Sequence, residues 1–502
     1  MTPAAARFAA VAGVLLVVHA FVLAMAQGPA CIDDAYISFR YARNLAQGEG
    51  LVFNPGERVE GFTNPGWVLL LAGAQRIGLD LPAVARVSNE ILGLILVVAA
   101  TQFVARRSPY PAWAAALAGG LLAADGSLAR WSQDGLETVL FTLLVFAGAA
   151  RAARSRGGAC FALAAWVRPE GVLLFGAARL WRLYQQGWAR AAWREACRES
   201  LVFVALVAPL IAGRLLYYGT WLPNTFHAKV GASGAQVWRG VGYVSRFLFA
   251  DRAAVVCLAV GLLLLHLRAE RARRQEVGRR EKWTGLLLAV GAAQALYVLL
   301  VGGDWMGPGR FLVPILPLLY VPLALAGAER LGSIGSPASR RVAVACLLAG
   351  GGAHLALSSV LSERPSVVSE RAYSASRLAV ARFLLDEANP DDTILTNEIG
   401  QLGWATDLRT LDVHGLTDPH IARQPAPQIG SGRAGHEKAD LPYSFARQPD
   451  WVVMPDIALD QQRFREEFPP FGDYEAVVVA EMTPRAEYQF VLRRRDPVPS
   501  GP

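Results

Sequence analysis

The sequence predicts a polytopic α-helical membrane protein of about eleven transmembrane helices that ends in an extracytoplasmic α/β domain. Three observations predict it. The 502 residues are 53% hydrophobic and only 18% charged, where a soluble domain carries about a quarter charged residues. The long apolar runs all fall before residue 362, and residues 362–502 read as a soluble protein. The short segments between the runs are alternately rich and poor in basic residues, as expected when every second loop faces the cytoplasm. The chain therefore divides into a membrane domain, 1–361, and a soluble domain, 362–502.

The first apolar run, 8–26, ends in Ala24-Met25-Ala26, which resembles a signal-peptidase site. Its length of about nineteen residues and the single preceding Arg7 favour a retained helix. Further spans are expected at 85–105, 110–127, 137–150, 158–167, 171–183, 200–218, 252–267, 284–301, 311–327 and 341–361. The pair at 158–167 and 171–183 is short and predicts a tight hairpin about Arg168-Pro169-Glu170-Gly171. The stretch 66–79 carries Gln75 and Arg76 and is short for a span. Read as a juxtamembrane helix, it leaves loops 1–7, 105–110, 151–158, 179–199, 268–283 and 328–341 on one side, holding 21 Lys+Arg. That side is the cytoplasm by the positive-inside rule, so the N-terminus is inside and the C-terminal domain outside. The same loops account for the net charge of +8 without a nucleic-acid partner, and the polar loops between spans meet membrane lipids.

In the C-terminal domain, SASRLAVARFLLDEA has helical spacing, and DTILTNEI, RTLDV, DWVVMPD, YEAVVVAEM and YQFVLRR read as short strands. The segment 424–435 reads as a flexible loop, and His414 as a structural histidine. The five cysteines are scattered with none after Cys346, so this domain holds no disulfide or thiolate metal site.

Chemistry is expected in loop 28–84. Asp33-Asp34 follows the first helix, with Arg40, Tyr41, Arg43 and Asn44 behind it, then Glu57, Arg58, Glu60 and Asn64. Adjacent carboxylates repel, which raises one pKa and suits it to take a proton from a substrate hydroxyl; solvated surface acids are the plainer alternative. Further clusters lie at 130–137, 168–171, 220–231 and 302–314. Their Arg168, His227, Lys229 and Arg310 suit either phospholipid headgroups or a bound phosphate. No sequence motif of nucleotide-binding, zinc-protease or serine-hydrolase type is present. Nothing requires a cofactor, and a divalent metal stays open.

The segment DDAYISFRYARNLAQGEGLVFNPGERVEGFTNPGW, 33–67, resembles the opening motif of bacterial GT-C-type membrane glycosyltransferases, above all those similar to mycobacterial terminal arabinofuranosyltransferases. GGDWMGPGRFLVP and IGQLGWATDLRTLDVHGLTDPHIA are similar to later segments of the same group. The resemblance implies a GT-C-like fold in a bacterial inner membrane and a polyprenyl-phosphate sugar donor. It implies transfer, with an arabinofuranosyl-like pentose favoured, to a cell-envelope glycan, lipid or protein on the outer face. It implies Asp33 as catalytic base, Asp34 as its partner and Glu60 as a second acid. Arg58, Asn64, Arg168, His227, Lys229, Asp304 and Arg310 are then the candidates for donor phosphate or sugar. A mannosyl or aminoarabinosyl donor, and a lipid-sugar flippase, are the alternatives. A flippase would hold its ionisable groups near mid-membrane, whereas here they gather at helix ends.

Overall fold

A computed structural model of the chain describes residues 3–27, 31–154, 156–231, 233–250, 252, 281–307, 309–332, 336, 366–426, 429–454, 473–481 and 488–495. Helices cover nine of the eleven expected spans: α1 (Pro3–Gln27), α4 (Leu81–Ala105), α5 (Pro111–Ala124), α7 (Thr138–Ala152), α8 (Gly158–Val167), α9 (Gly171–Gln185), α10 (Arg190–Tyr218), α13 (Glu281–Val301) and α14 (Ile315–Gly332). The spans at 252–267, apart from Arg252, and at 341–361 lie outside the described residues, as does the 361/362 domain boundary. Among the described residues, four helices are long and apolar enough to cross a membrane: Leu81–Ala105, Arg190–Tyr218, Trp283–Val301 and Ile315–Gly332. Shorter apolar stretches lie at Ala6–Val18, Pro111–Ala124, Thr138–Ala152 and Gly158–Val167, and α8 and α9 form the expected hairpin. Many large apolar side chains of these helices point outward, among them Leu201, Val204 and Leu216 of α10. Apolar residues all around a helix suit a bilayer solvent.

The loop after α1 folds into two further helices, α2 (Asp33–Gln47) and α3 (Pro65–Arg76). The two acids of its first turn favour α2, because they face the positive end of the helix dipole. Gly48, at φ 95°, stops it by returning its N–H to the Asn44 and Leu45 carbonyls. The expected juxtamembrane helix at 66–79 is α3, shorter at its C-terminal end. This loop, 28–84, is loop one, and it shares the core of the bundle. Phe39, Tyr41, Phe53, Phe62 and Trp67 are buried in one apolar core with the bundle helices.

From residue 366 the chain forms an α/β domain. Helix α15 (366–387) precedes a five-stranded sheet of order β2-β1-β3-β5-β4. Strands β1 (Thr393–Thr396), β2 (Arg409–Asp412) and β3 (Trp451–Val453) run parallel, while β4 (Tyr474–Glu481) and β5 (Tyr488–Arg494) form an antiparallel hairpin at the edge. All five segments read as strands from the sequence are strands. Successive side chains alternate faces: Ile394 packs with Val380, Leu384 and Trp451, whereas Leu395 packs with Leu411, Val452 and Phe445. Both faces are therefore buried, as parallel sheets require. Helix α16 (Ile399–Thr406) connects β1 to β2.

Candidate active site

The two parts of the chain are sewn together along α2. Arg40, only 1% exposed, donates to the Phe53 carbonyl in loop one and to the Gly403 and Leu408 carbonyls and Thr410 Oγ1 in the α/β domain, at 2.6–3.1 Å. Among the described residues its charge is buried without a carboxylate in contact, so five oxygens, Asn54 Oδ1 at 3.3 Å included, must replace its water. Asn54 pairs with the edge of β2, accepting from Thr410 N at 3.0 Å and donating to Thr410 O at 2.9 Å. Arg43 stacks on Trp404 and pairs with Asp407. Two of the arginines that make loop one distinctive, Arg40 and Arg43, thus bind the second domain.

At the start of α2 this seam opens into a cleft. It is lined from loop one by Asp33, Asp34 and Ile37, from the bundle by Lys229 and Trp305, and from the α/β domain by Arg377, Asn397, Glu398, Asp412, His414, Arg433 and His436. Asn397 and Glu398 follow the carboxyl end of β1, Asp412 ends β2, and His414 lies just beyond it. The chain leaves β1 toward β2 on one side and reaches β3 on the other. Open α/β sheets bind ligands at the carboxyl ends of their strands, at such a switch of strand order.

Asp33 is 6% exposed and accepts the N–H groups of Gly400 (3.1 Å) and Gln401 (2.8 Å), the first turn of α16. A Cβ at residue 400 would lie 2.0 Å from the Asp33 carbonyl oxygen, so this close approach requires glycine. Burial raises the Asp33 carboxyl to about 6; Arg377, 3.5 Å away, opposes the rise, and Glu398 adds to it. Arg377, on α15, also holds Glu370 (2.9 Å) and Glu398 (3.0 Å). Asp34 is more open, its side chain 20% exposed, and sits 3.8 Å from Arg310. Arg310 is bound more closely by Asp304 at 2.6 Å.

Lys229 has no ion pair among the described residues, and its stem passes beneath Gly435. Arg433 lies 3.8 Å over the Trp305 ring. His436 stacks edge-on against His414 and Trp305, and burial, with His414 and Arg433 nearby, lowers its pKa to about 3, leaving it neutral. Asn397 Oδ1 is a buried acceptor without a partner among the described residues. The segment 424–435, expected to be flexible, is tied at its described end: Arg239 donates to the Gly432 carbonyl at 3.0 Å, and Gly430 N–H to Glu437 at 2.6 Å. His414, expected to be structural, does bond through Nδ1 to the Lys438 carbonyl at 3.1 Å, but its ring also lines the cleft.

Other residues singled out in the sequence lie apart. Glu60 is held bidentately by Arg214 of α10, at 2.6 and 2.9 Å. Arg168 is held by Glu137 (2.8 Å) and Glu170 (2.6 Å), and Asn64 donates to Glu137 at 2.6 Å. Arg58 stacks over Tyr217 at 5.0 Å. His227, on the short helix α11 (Asn224–Lys229), lies outside the cleft lining, and burial lowers its pKa. Conversely, Arg377, Asn397, Glu398, Arg433 and His436 were not singled out. The signal available was a predicted strand leading into Glu-Ile-Gly and a helix, the junction at which α/β domains place ligand contacts. Among the described residues, no cluster of three or more His, Cys, Asp or Glu has the arrangement of a metal site.

Two crystal structures of ArnT from Cupriavidus metallidurans superpose on nearly the whole chain. The one bound to undecaprenyl phosphate gives a TM-score of 0.59 at 16% identity, covering 99% of both chains. The apo structure gives 0.60 at 14% identity, covering 97% of both. The chain has the GT-C fold. In sequence, this GT-C chain is 30% identical over 329 residues to the terminal β-(1→2)-arabinofuranosyltransferase of Mycobacterium tuberculosis, covering 57% of the chain and 51% of the relative. It is 29% identical over 349 residues to the enzyme of that name from Corynebacterium glutamicum, covering 58% and 48%. The chain thus spans about half the length of the curated relatives it matches. Residues 367–496 also match a family described as a domain of unknown function, DUF8728. That range coincides with the α/β domain that closes the cleft.

Proposed function

We propose that this protein is a membrane glycosyltransferase that moves a sugar from a polyprenyl-phosphate donor to a cell-envelope acceptor within the cleft, on the outer face of the membrane. An arabinofuranosyl-like pentose is the favoured sugar, by similarity to the terminal arabinofuranosyltransferases. A lipid-phosphate donor agrees with the undecaprenyl phosphate bound to ArnT, a protein of the same fold. The observation that carries the reading is the meeting, in one cleft, of the Asp33-Asp34 pair with the cations Lys229 and Arg433.

In the proposed reaction the acceptor hydroxyl oxygen attacks the anomeric carbon as that carbon's bond to the phosphate oxygen breaks. The carboxylate of Asp33 takes the hydroxyl proton, and the polyprenyl phosphate leaves with the bonding electrons. A group whose pKa is near 6 is ionised at neutral pH yet basic enough to share a proton in the transition state. Lys229 and Arg433, with Arg310 behind Asp34, would stabilise charge growing on the phosphate. Asn397 Oδ1 offers an acceptor for a sugar hydroxyl, and Trp305 a ring face. This leaves Glu60, Arg58 and Arg168 to position loop one and the bundle.

The greater exposure of Asp34 favours a second assignment, in which Asp34 is the base and Asp33 anchors the α/β domain. Rates of Asp33→Asn and Asp34→Asn with a polyprenyl-phosphate arabinofuranose separate the two. The true base should lose about 10²–10⁴ in rate. Near wild-type transfer by both variants would remove the pair from the chemistry.

A further inference from the structure

The cleft is not the only concave charged surface. Where α9 ends and α10 begins, a cavity of about 580 Å³ is lined by Ala153, Arg154, Arg182, Arg194, Glu195 and Arg198. It lies far from the cleft. Helix α9 begins next to Arg168, which stacks on Phe311 beside Arg310. Its fifteen residues then rise about 22 Å to the cavity.

The lining has a marked excess of positive charge. Glu195 is its one carboxylate, and it is already engaged by Arg182 at 3.1 Å and by Gln186 at 3.2 Å. Four arginines and a single glutamate line the hollow, so its lining is mostly cationic. Repulsion among the arginines is relieved when an anion enters. The side chain of Arg182 is 11% exposed, and its Nε is a buried donor with no acceptor among the described residues. All four cations are arginine, whose planar forks bind phosphate oxygens in pairs, whereas lysine acts as a point charge.

The rim indicates what carries the anion. Tyr184, Trp188 and Trp193 are 66%, 50% and 49% exposed, and the two tryptophan rings pack 6.1 Å apart. Exposed tryptophan and tyrosine beside arginine, at the end of apolar helices, mark the level of lipid headgroups. Basic pockets between membrane helices are suited to phosphate-bearing headgroups, and the volume lies within the usual range for a small-molecule site.

We propose that this cavity binds the phosphate of an anionic membrane-lipid headgroup, on the opposite side of the bundle from the cleft. The site is independent of the sugar-transfer reading, since none of its residues lines the cleft. The test uses full-length protein in neutral detergent, titrated separately with phosphatidylglycerol, phosphatidylcholine and inorganic phosphate. Bound lipid is read by native mass spectrometry and stability by Tm. Phosphatidylglycerol should bind and raise Tm, and phosphatidylcholine should not. The exposed pair Arg194→Gln/Arg198→Gln should weaken phosphatidylglycerol binding by about 10- to 30-fold. The control pair Arg106→Gln/Arg330→Gln, exposed and outside the lining, should leave it within about twofold. Equal losses in both pairs, or equal binding of the two lipids, would overturn the site. Saturation by inorganic phosphate alone, lost in Arg194→Gln/Arg198→Gln and without phosphatidylglycerol binding, would assign the cavity to a soluble phosphate compound and overturn the lipid.

Discussion

Arg377 lies in the α/β domain, yet it should set the pH at which loop one is active. Its Nε is 3.5 Å from Asp33 Oδ1. Two unit charges at that distance interact by about 5 kcal/mol at an effective dielectric constant of 20, equivalent to about three pH units. The guanidinium also serves Glu370 and Glu398, so one unit is the safer lower bound. Asp33 in the native protein titrates at about 6, raised by burial and held from rising further by Arg377. A base must be ionised, so wild-type transfer should fall as pH drops through about 6. In Arg377→Gln the carboxylate loses its cation, its pKa rises, and the acid limb should move to pH 7 or above. Arg377→Lys keeps the charge and should hold the limb near 6. The assay is the pH profile of sugar transfer from pH 5 to 9, with Arg377→Gln recovering at alkaline pH much of what it loses at pH 7. A variant that is uniformly slow at every pH, with its limb unmoved, would refute Asp33 as the titrating base.

Lys229→Gln removes a cleft cation that has no ion pair among the described residues, and it should slow donor use by about 10²-fold or more, with protein yield unchanged, measured as kcat/KM for the lipid-phosphate sugar. Glu60→Gln should act on stability instead. It leaves Arg214 buried without its bidentate partner, a loss of about 3–5 kcal/mol, visible as a lower Tm with donor kinetics of the surviving fraction unchanged. Gly400→Ala forces a methyl group against the Asp33 carbonyl and should loosen the α/β domain from α2. A lower Tm and loss of transfer are the expected readouts.

The bundle was legible because its information is local. Hydrophobic runs of spanning length and basic loops recur every few tens of residues, and each described run became a helix. The five short strands of the α/β domain were legible for the same reason, since apolar alternation is a property of adjacent residues. The cleft was legible only in part. Asp33 and Asp34 stood out because two neighbouring carboxylates after an apolar helix are unusual within a few residues of sequence. Arg377 and Glu398 carry no such local mark; they meet Asp33 across 344 and 365 positions of chain (377−33 and 398−33). Glu60 and Arg168 look as functional as Asp33 in the sequence, and what separates them is place: Asp33 lines the cleft, whereas Glu60 and Arg168 are held in ion pairs away from it.

The same distinction explains why loop one is so rich in polar residues without all of them being catalytic. Arg40, Arg43, Asn54 and Glu57 each meet a group of the α/β domain. In the proposed enzyme they hold a soluble lid over a carboxylate pair fixed to the membrane bundle. The cost is that Asp33 is itself part of the seam, accepting the first N–H groups of α16. An acceptor hydroxyl that reaches Asp33 must compete with those two donors. Binding of the acceptor and movement of α16 are therefore linked, and a disulfide or cross-link that fixes α16 to α2 should suppress transfer without displacing a bound donor.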